Sequence, residues 1–292
     1  MTTTKGTTEL RDAHPVKTND VSPVTSGLGA KTLVHYAVRD GVAWLTLDDP
    51  PANTYTYEMM LQFDAAILRA RMDETAHVIV ITGQGEKFFS AGANIAMLNS
   101  VTPQFKFCFC LQANETLNRL ENTPKLVIAA LNGHTVGGGL EIAMAADLRL
   151  ARKDAGKVGL PEINLGVLPG TGGTQRLARI LGKSKSIELM VTGKLFTFEE
   201  AKEWGVVNDV VAGDLASFQQ QVQDFAKQFC PPNKASKAVG HIKRSVQTGW
   251  EIPLQEALAV ERELQQQLFQ SEDAKEGIDA YVKKRVPKFK GK

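Results

Sequence analysis

Two stretches constrain this chain more than any others: "HVIVITG" over residues 77–83 and "KLVIAALNG" over 125–133. Each is an unbroken apolar run ending in glycine, with none of the alternation that a strand with one wet face shows. Such strands are covered on both faces, which places them inside a largely parallel sheet layered with helices. "ADLRLA" (146–151) reads as a further strand, and "TLVHYAVRDGVAWLTLDD" as two strands around a turn at Arg39-Asp40-Gly41. Between them, "YEMMLQFDAAILRARMD" (57–73) sets Met60, Phe63, Ile67 and Leu68 on one helical face, and a second helix is expected over about 103–121. Strands alternating with helices predict an α/β core. Beyond Gly172 the pattern turns mainly helical, broken at Pro231-Pro232-Asn233.

Three regions follow. Residues 1–30, rich in Thr, Ser, Pro, Gly and charge without apolar periodicity, read as a mobile tail; 31–230 form the core; 231–292 form a helical region with a basic end. The 292 residues are 43% hydrophobic, enough for a full core. A net charge of +2 gives no reason to expect a nucleic-acid partner. Three cysteines, of which Cys108 and Cys110 form a C-x-C pair without a second pair, suit neither a disulfide scaffold nor a tetrahedral metal site. With no apolar run of about 18 residues and no secretory h-region, the expectation is a cytoplasmic protein that neither crosses nor binds a membrane.

Chemistry is concentrated in "GHTVGGGLEIAMAAD" (133–147). A glycine turn between a buried strand and a helix lets a ligand approach bare backbone, and the first N–H groups of the helix are free to stabilise an anionic oxygen. Taken alone, a triple glycine is more often a tight packing turn. Glu141 changes the weighing: it stands one turn along the same helix among Leu140, Ile142, Ala143 and Met144. A carboxylate in apolar surroundings is either paired or driven to a raised pKa. A second small-residue turn, Ser90-Ala91-Gly92-Ala93, follows the other buried strand, so neighbouring strands would aim two sets of donors at one oxygen. Phosphate-binding patterns fail: a P-loop ending at Gly182-Lys183-Ser184 needs glycine where Leu177 stands, and a dinucleotide fingerprint from Gly170 needs glycine where Gln175 stands.

"FFSAGANI", "LNGHTVGGGLEIAMAADLRLA", "LPEINLGVLPGTGGTQRL" and "AKEWGVVNDVV" resemble, in order and spacing, the motifs of the enoyl-CoA hydratase/isomerase (crotonase) superfamily, over residue 32 to the C-terminus. The resemblance implies a spiral of repeated ββα units, a helical C-terminal region that packs subunits as a homotrimer or homohexamer, and an acyl-CoA thioester substrate. Coenzyme A then belongs to the substrate, and no separate cofactor or metal is expected. By motif position the oxyanion donors fall on the N–H groups of Ala93 and Gly138, the catalytic pair on Glu141 and Glu162, and the amide that holds the water on Gly170. Pro51, Ala52, Ala91, Asn94 and Ile95 fall at the substrate and coenzyme A site. Many isomerases, hydrolases and decarboxylases of the superfamily lack one of the two glutamates.

Hydration of a 2-enoyl-CoA is therefore the leading expectation, with Glu141 as base and Glu162 as acid, although two nearby carboxylates titrate as a pair. Another crotonase reaction is second (isomerisation, thioester hydrolysis, decarboxylation, or hydration of a branched, aromatic-derived or dienoyl substrate). A non-catalytic RNA-binding role is third. The sequence departs from the pattern at Asn94, where Asp is frequent, and at "DDPPANTYTYEMM" (48–60), where residues 54–56 introduce bulk. Phe105, Phe107 and Phe109, spaced by two, scatter around a helix axis and read as core or interface. His134 reads as packing, and the basic end as a solvated terminus.

Overall fold

The computed structural model describes residues 31–292, so the expected tail over 1–30 lies outside the described residues. Thr32–Lys292 form one compact unit. The chain runs β1 (Val34–Arg39), β2 (Val42–Leu47), α1 (Tyr57–Met72), β3 (Val78–Gly83), β4 (Phe88–Ser90), α2 (Ile95–Ser100), α3 (Pro103–Glu121), β5 (Leu126–Leu131), β6 (His134–Val136), α4 (Gly138–Met144), β7 (Leu148–Arg152) and β8 (Lys157–Gly159). A short 3-10 turn (Glu162–Leu165) leads to α5 (Gly173–Leu181), α6 (Lys183–Thr192), β9 (Phe196–Thr197), α7 (Phe198–Glu203), β10 (Asp209–Val211) and α8 (Leu215–Lys227). Three helices close the chain: α9 (Ser236–Trp250), α10 (Leu254–Phe269) and α11 (Glu272–Val282).

Two mixed sheets result. The larger has the order β1-β2-β3-β5-β7-β10 and the smaller β4-β6-β8-β9. Among the described residues only β1-β2 and β8-β9 pair antiparallel. The first antiparallel pair turns through Asp40 and Gly41, both with positive φ (48° and 82°), which suits a two-residue hairpin loop. Each of the pairs β3-β4, β5-β6 and β7-β8 sends its first strand to the large sheet and its second to the small one. This is the ββα repeat in physical form.

The apolar runs are buried on both faces. Val78 and Val80 on β3, with Ile128 and Ala130 on β5, pack beneath Phe218, Val222 and Ala226 of α8. The alternate residues Ile79, Ile81, Val127, Ala129 and Leu131 enter the main core with Phe63 and Ile67 of α1 and Leu117 of α3. Each such aliphatic side chain contributes about 1.5–3 kcal/mol on full burial. On α1 the buried stripe is Met59, Met60, Phe63, Ala66, Ile67 and Ala70, with Leu68 only half-buried, so the helix is rotated slightly from the expected face. The strand expected over 146–151 begins two residues later, because Asp147 turns its carboxylate to the Val127 N–H (2.7 Å). That carboxylate also meets Lys243 of α9 (2.9 Å), with side chains only 11% and 5% exposed. A buried ion pair thus fastens the C-terminal helices to β5 and β7.

Candidate active site

Both small-residue turns leave the smaller sheet from adjacent strands. β4 and β6 pair in parallel, Phe88 opposite His134 and Ser90 opposite Thr135. A Cβ built on Gly92 would lie 2.7 Å from the Gly138 nitrogen, so the turns touch. Tyr55 bridges to Ala93, using the Gly92 carbonyl and the Asn94 N–H (2.9 and 3.0 Å), which leaves the N–H of Ala93 outside the bridge. Gly138 opens α4 behind Gly137, whose φ of 57° is one that few side-chain-bearing residues adopt. Gly137 supplies no side-chain cap, so the first N–H of α4 stays available. The middle glycine is required for space: a Cβ on Gly138 would overlap the Tyr55 hydroxyl.

Glu141 is 2% exposed. Its Oε1 accepts the N–H groups of Thr171 and Gly173, each at 2.7 Å. Burial raises its pKa, and the amides of Gly173 and Thr171 oppose that rise. Glu162 opens the 3-10 turn, and its Oε1 would stand 3.0 Å from a Cβ on Gly137. Its Oε2 is buried without a hydrogen-bond partner among the described residues. Burial first, and then the charge of Glu141, push the Glu162 carboxyl up to about 7. One carboxylate is thus anchored by two amides, while the other has a free buried oxygen and a proton affinity near neutrality. Burial raises the pKa of both carboxyls, while their hydrogen-bond surroundings differ.

The loop that anchors Glu141 is itself held. Asn114 of α3 donates to the Gly170 carbonyl (3.1 Å); the same peptide unit carries the Thr171 N–H that reaches Glu141. Arg176 donates to the Thr171 carbonyl (3.3 Å) and pairs with Glu121 (2.8 Å). Cys110 borders the loop, its Sγ 3.3 Å from a Cβ on Gly170, and its thiol pKa is raised by burial and by Glu141.

Ala93, Gly138, Glu141 and Glu162 therefore gather around the two turns, with Gly170 one residue from an amide on Glu141. Ala52 and Ala91 are joined by a hydrogen bond (2.9 Å). Asn94 caps α2 through Met97 N–H (2.9 Å) and donates to Thr54 (3.2 Å). Pro51 and Ile95 are exposed beside them. Phe109 is buried against Tyr55 (ring centroids 5.9 Å), Phe105 packs between Phe109 and Tyr57, and Phe107 faces solvent. His134 packs on Phe88 and accepts the Lys157 N–H. Of the basic end, Lys283 and Arg285 pair with Asp279 and Lys290 with Glu272. Sequence reasoning passed over Thr171 and Gly173, weighed only within a failed phosphate pattern, and Tyr55, noted only for its bulk. Among the described residues no three His, Cys, Asp or Glu side chains are placed to hold a metal, and no helix is long and apolar enough to cross a membrane.

The chain matches the enoyl-CoA hydratase/isomerase family over residues 37–292. It is 36% identical over 259 residues to a probable enoyl-CoA hydratase of Bacillus subtilis, covering 88% of this chain and 98% of that one. It is also 36% identical over 264 residues to a carnitinyl-CoA dehydratase of Escherichia coli, covering 89% and 98%. A Geobacillus kaustophilus enoyl-CoA hydratase crystal structure superposes with a TM-score of 0.86 at 45% identity, over 90% of this chain and 98% of that one. Motif order, the two-sheet ββα architecture and matches of this length agree: the chain belongs to the enoyl-CoA hydratase/isomerase (crotonase) superfamily.

Proposed function

We propose that this protein is an enoyl-CoA hydratase, adding water reversibly across the C2=C3 bond of a 2-enoyl-CoA to give a 3-hydroxyacyl-CoA. The observation that carries the reading is the pair of unlike carboxyls, Glu141 on two amides and Glu162 with a free buried oxygen. A double-bond shift needs one proton carrier; water addition uses a base and an acid. The thioester carbonyl lies between the N–H groups of Ala93 and Gly138, where each donor lowers the barrier by about 2.7–4 kcal/mol as charge moves onto oxygen. Glu141 takes a proton from a water steadied by the Gly170 amide while the water oxygen bonds to C3. The C2=C3 π electrons move toward the thioester, and Glu162 delivers its proton to C2. Proton exchange between the two carboxyls restores the starting state.

Pro51, Ala52, Ala91, Asn94 and Ile95 are assigned to the coenzyme A arm of the site. Residues 231–292 are assigned to homotrimer or homohexamer assembly. Exposed Ile242, Val246, Trp250 and Phe269 on α9 and α10 support that assignment, since they offer apolar side chains that a neighbouring subunit would cover. Three unpaired thiols suit a cytoplasmic enzyme. The test is turnover on a panel of 2-enoyl-CoA thioesters by wild type, Glu141→Gln and Glu162→Gln. Both variants are expected to lose about 10²–10⁴-fold in kcat. Full activity in Glu162→Gln would move the assignment to a one-carboxylate reaction of the superfamily.

A further inference from the structure

Tyr55 stands outside the motifs that define the family resemblance, yet it sits at the centre of the site. Its ring is buried and packs on Phe109, its backbone bridges to the oxyanion residue Ala93, and its hydroxyl occupies the space that a Cβ on Gly138 would need. That hydroxyl lies 3.2 Å from Thr171 Oγ1. Thr171 in turn donates its N–H to the Glu141 carboxylate (2.7 Å), so the residue that Tyr55 touches is one that anchors Glu141. Either hydroxyl can donate in the Tyr55–Thr171 pair, and either way the bond fixes the residue whose N–H holds Glu141.

We infer that Tyr55 is a positioning residue for Glu141, acting through a Tyr55–Thr171–Glu141 hydrogen-bond relay that fixes the base against the oxyanion turn. The Tyr55–Thr171 hydroxyl bond pins Thr171, so that its N–H stays aimed at the ionised carboxylate. The contact with Gly138 packs the same Tyr55 side chain against the first turn of α4, the helix that carries Glu141. Other groups bear on Glu141 from every side. Arg176 of α5 favours its charge, and Glu162, together with the Cys110 thiol of α3 if ionised, opposes it. Tyr55 remains neutral in the working range, because burial and the charge of Glu141 both raise its phenol pKa. It therefore holds Thr171 as a neutral phenol and gives up no proton itself.

This inference rests on the hydratase reading, and its test is built to fail separately from it. Tyr55→Phe keeps the ring on Phe109 and removes only the hydroxyl. Expected are a loss of about tenfold in kcat on a 2-enoyl-CoA with KM changed less than about twofold, equivalent to one hydrogen bond. The acid limb of kcat/KM, where Glu141 must be ionised, should move up by about half a pH unit while the alkaline limb moves less. Thr171→Val should lose more, and the double variant no more than Thr171→Val alone, because both changes cut one relay. Unchanged kcat and acid limb in Tyr55→Phe, or losses that multiply in the double variant, would overturn the relay. The Glu141 carboxylic-acid stretch, isolated by infrared difference against Glu141→Gln, reads the same titration without turnover. If wild type processes no enoyl-CoA but this band still titrates at higher pH in Tyr55→Phe, the relay stands and the hydratase reading fails. A band unmoved by Tyr55→Phe removes the relay whatever the activity.

Discussion

Glu162→Gln should stabilise the fold in alkaline solution while it slows turnover about 10²–10⁴-fold. Burial, with Glu141 beside it, lifts the Glu162 pKa from 4.5 to about 7. The folded state therefore holds this proton more tightly than the unfolded chain does. The resulting stabilisation is complete below pH 4.5, declines above it, and is gone once the pH has passed 7. Each tenfold difference in proton affinity is about 1.4 kcal/mol, so wild type loses about 2–3 kcal/mol between pH 5 and pH 8.5 through this one group. Glutamine does not titrate. Its stability relative to wild type should rise by that amount over the interval, a figure that already includes the repulsion from Glu141. Paired thermal or guanidinium unfolding of the two proteins at both pH values reads the difference, and other titrating groups cancel in the comparison. A wild-type-to-variant difference equal at pH 5 and pH 8.5 would show that Glu162 titrates as an ordinary carboxyl, and the acid role given to it would fall with that result.

Two further outcomes follow from the geometry. In Gly138→Ala the new Cβ meets the Tyr55 ring at 2.6–2.7 Å, so ring or turn must shift. A stability cost of about 1–3 kcal/mol and a loss of about 10²–10³ in kcat are expected from unfolding and steady-state assays; near-wild-type kcat would place the oxyanion donor elsewhere. Asp147→Ala strands Lys243 in a buried site and should cost about 3–5 kcal/mol in denaturant unfolding, most of it recovered when Lys243→Met is added.

What could be read in the sequence was what repeats or what offends. The apolar runs at 77–83 and 125–133 declared strands covered on both faces, and α8 on one side with α1 and α3 on the other supply those covers. Strands β4, β6 and β8 were invisible because three residues carry no periodicity, although they place the turns side by side. Glu141 was legible as a buried carboxylate that needed partners. Its partners were not, because they are backbone amides 30 and 32 residues away, and an amide leaves no mark in a sequence. The bulk of Tyr55 was visible and its purpose was hidden, since only the folded chain brings it to Gly138 and Thr171.

The central claim is that one active site adds the elements of water to an enoyl thioester. But-2-enoyl-CoA incubated with the enzyme in deuterium oxide enriched in oxygen-18, with products followed by mass spectrometry and NMR, tests it directly. The expected product is a 3-hydroxyacyl-CoA carrying one solvent oxygen at C3 and one solvent deuteron at C2. Deuterium without oxygen, oxygen appearing in a free acid, or no solvent label in any acyl product would contradict it.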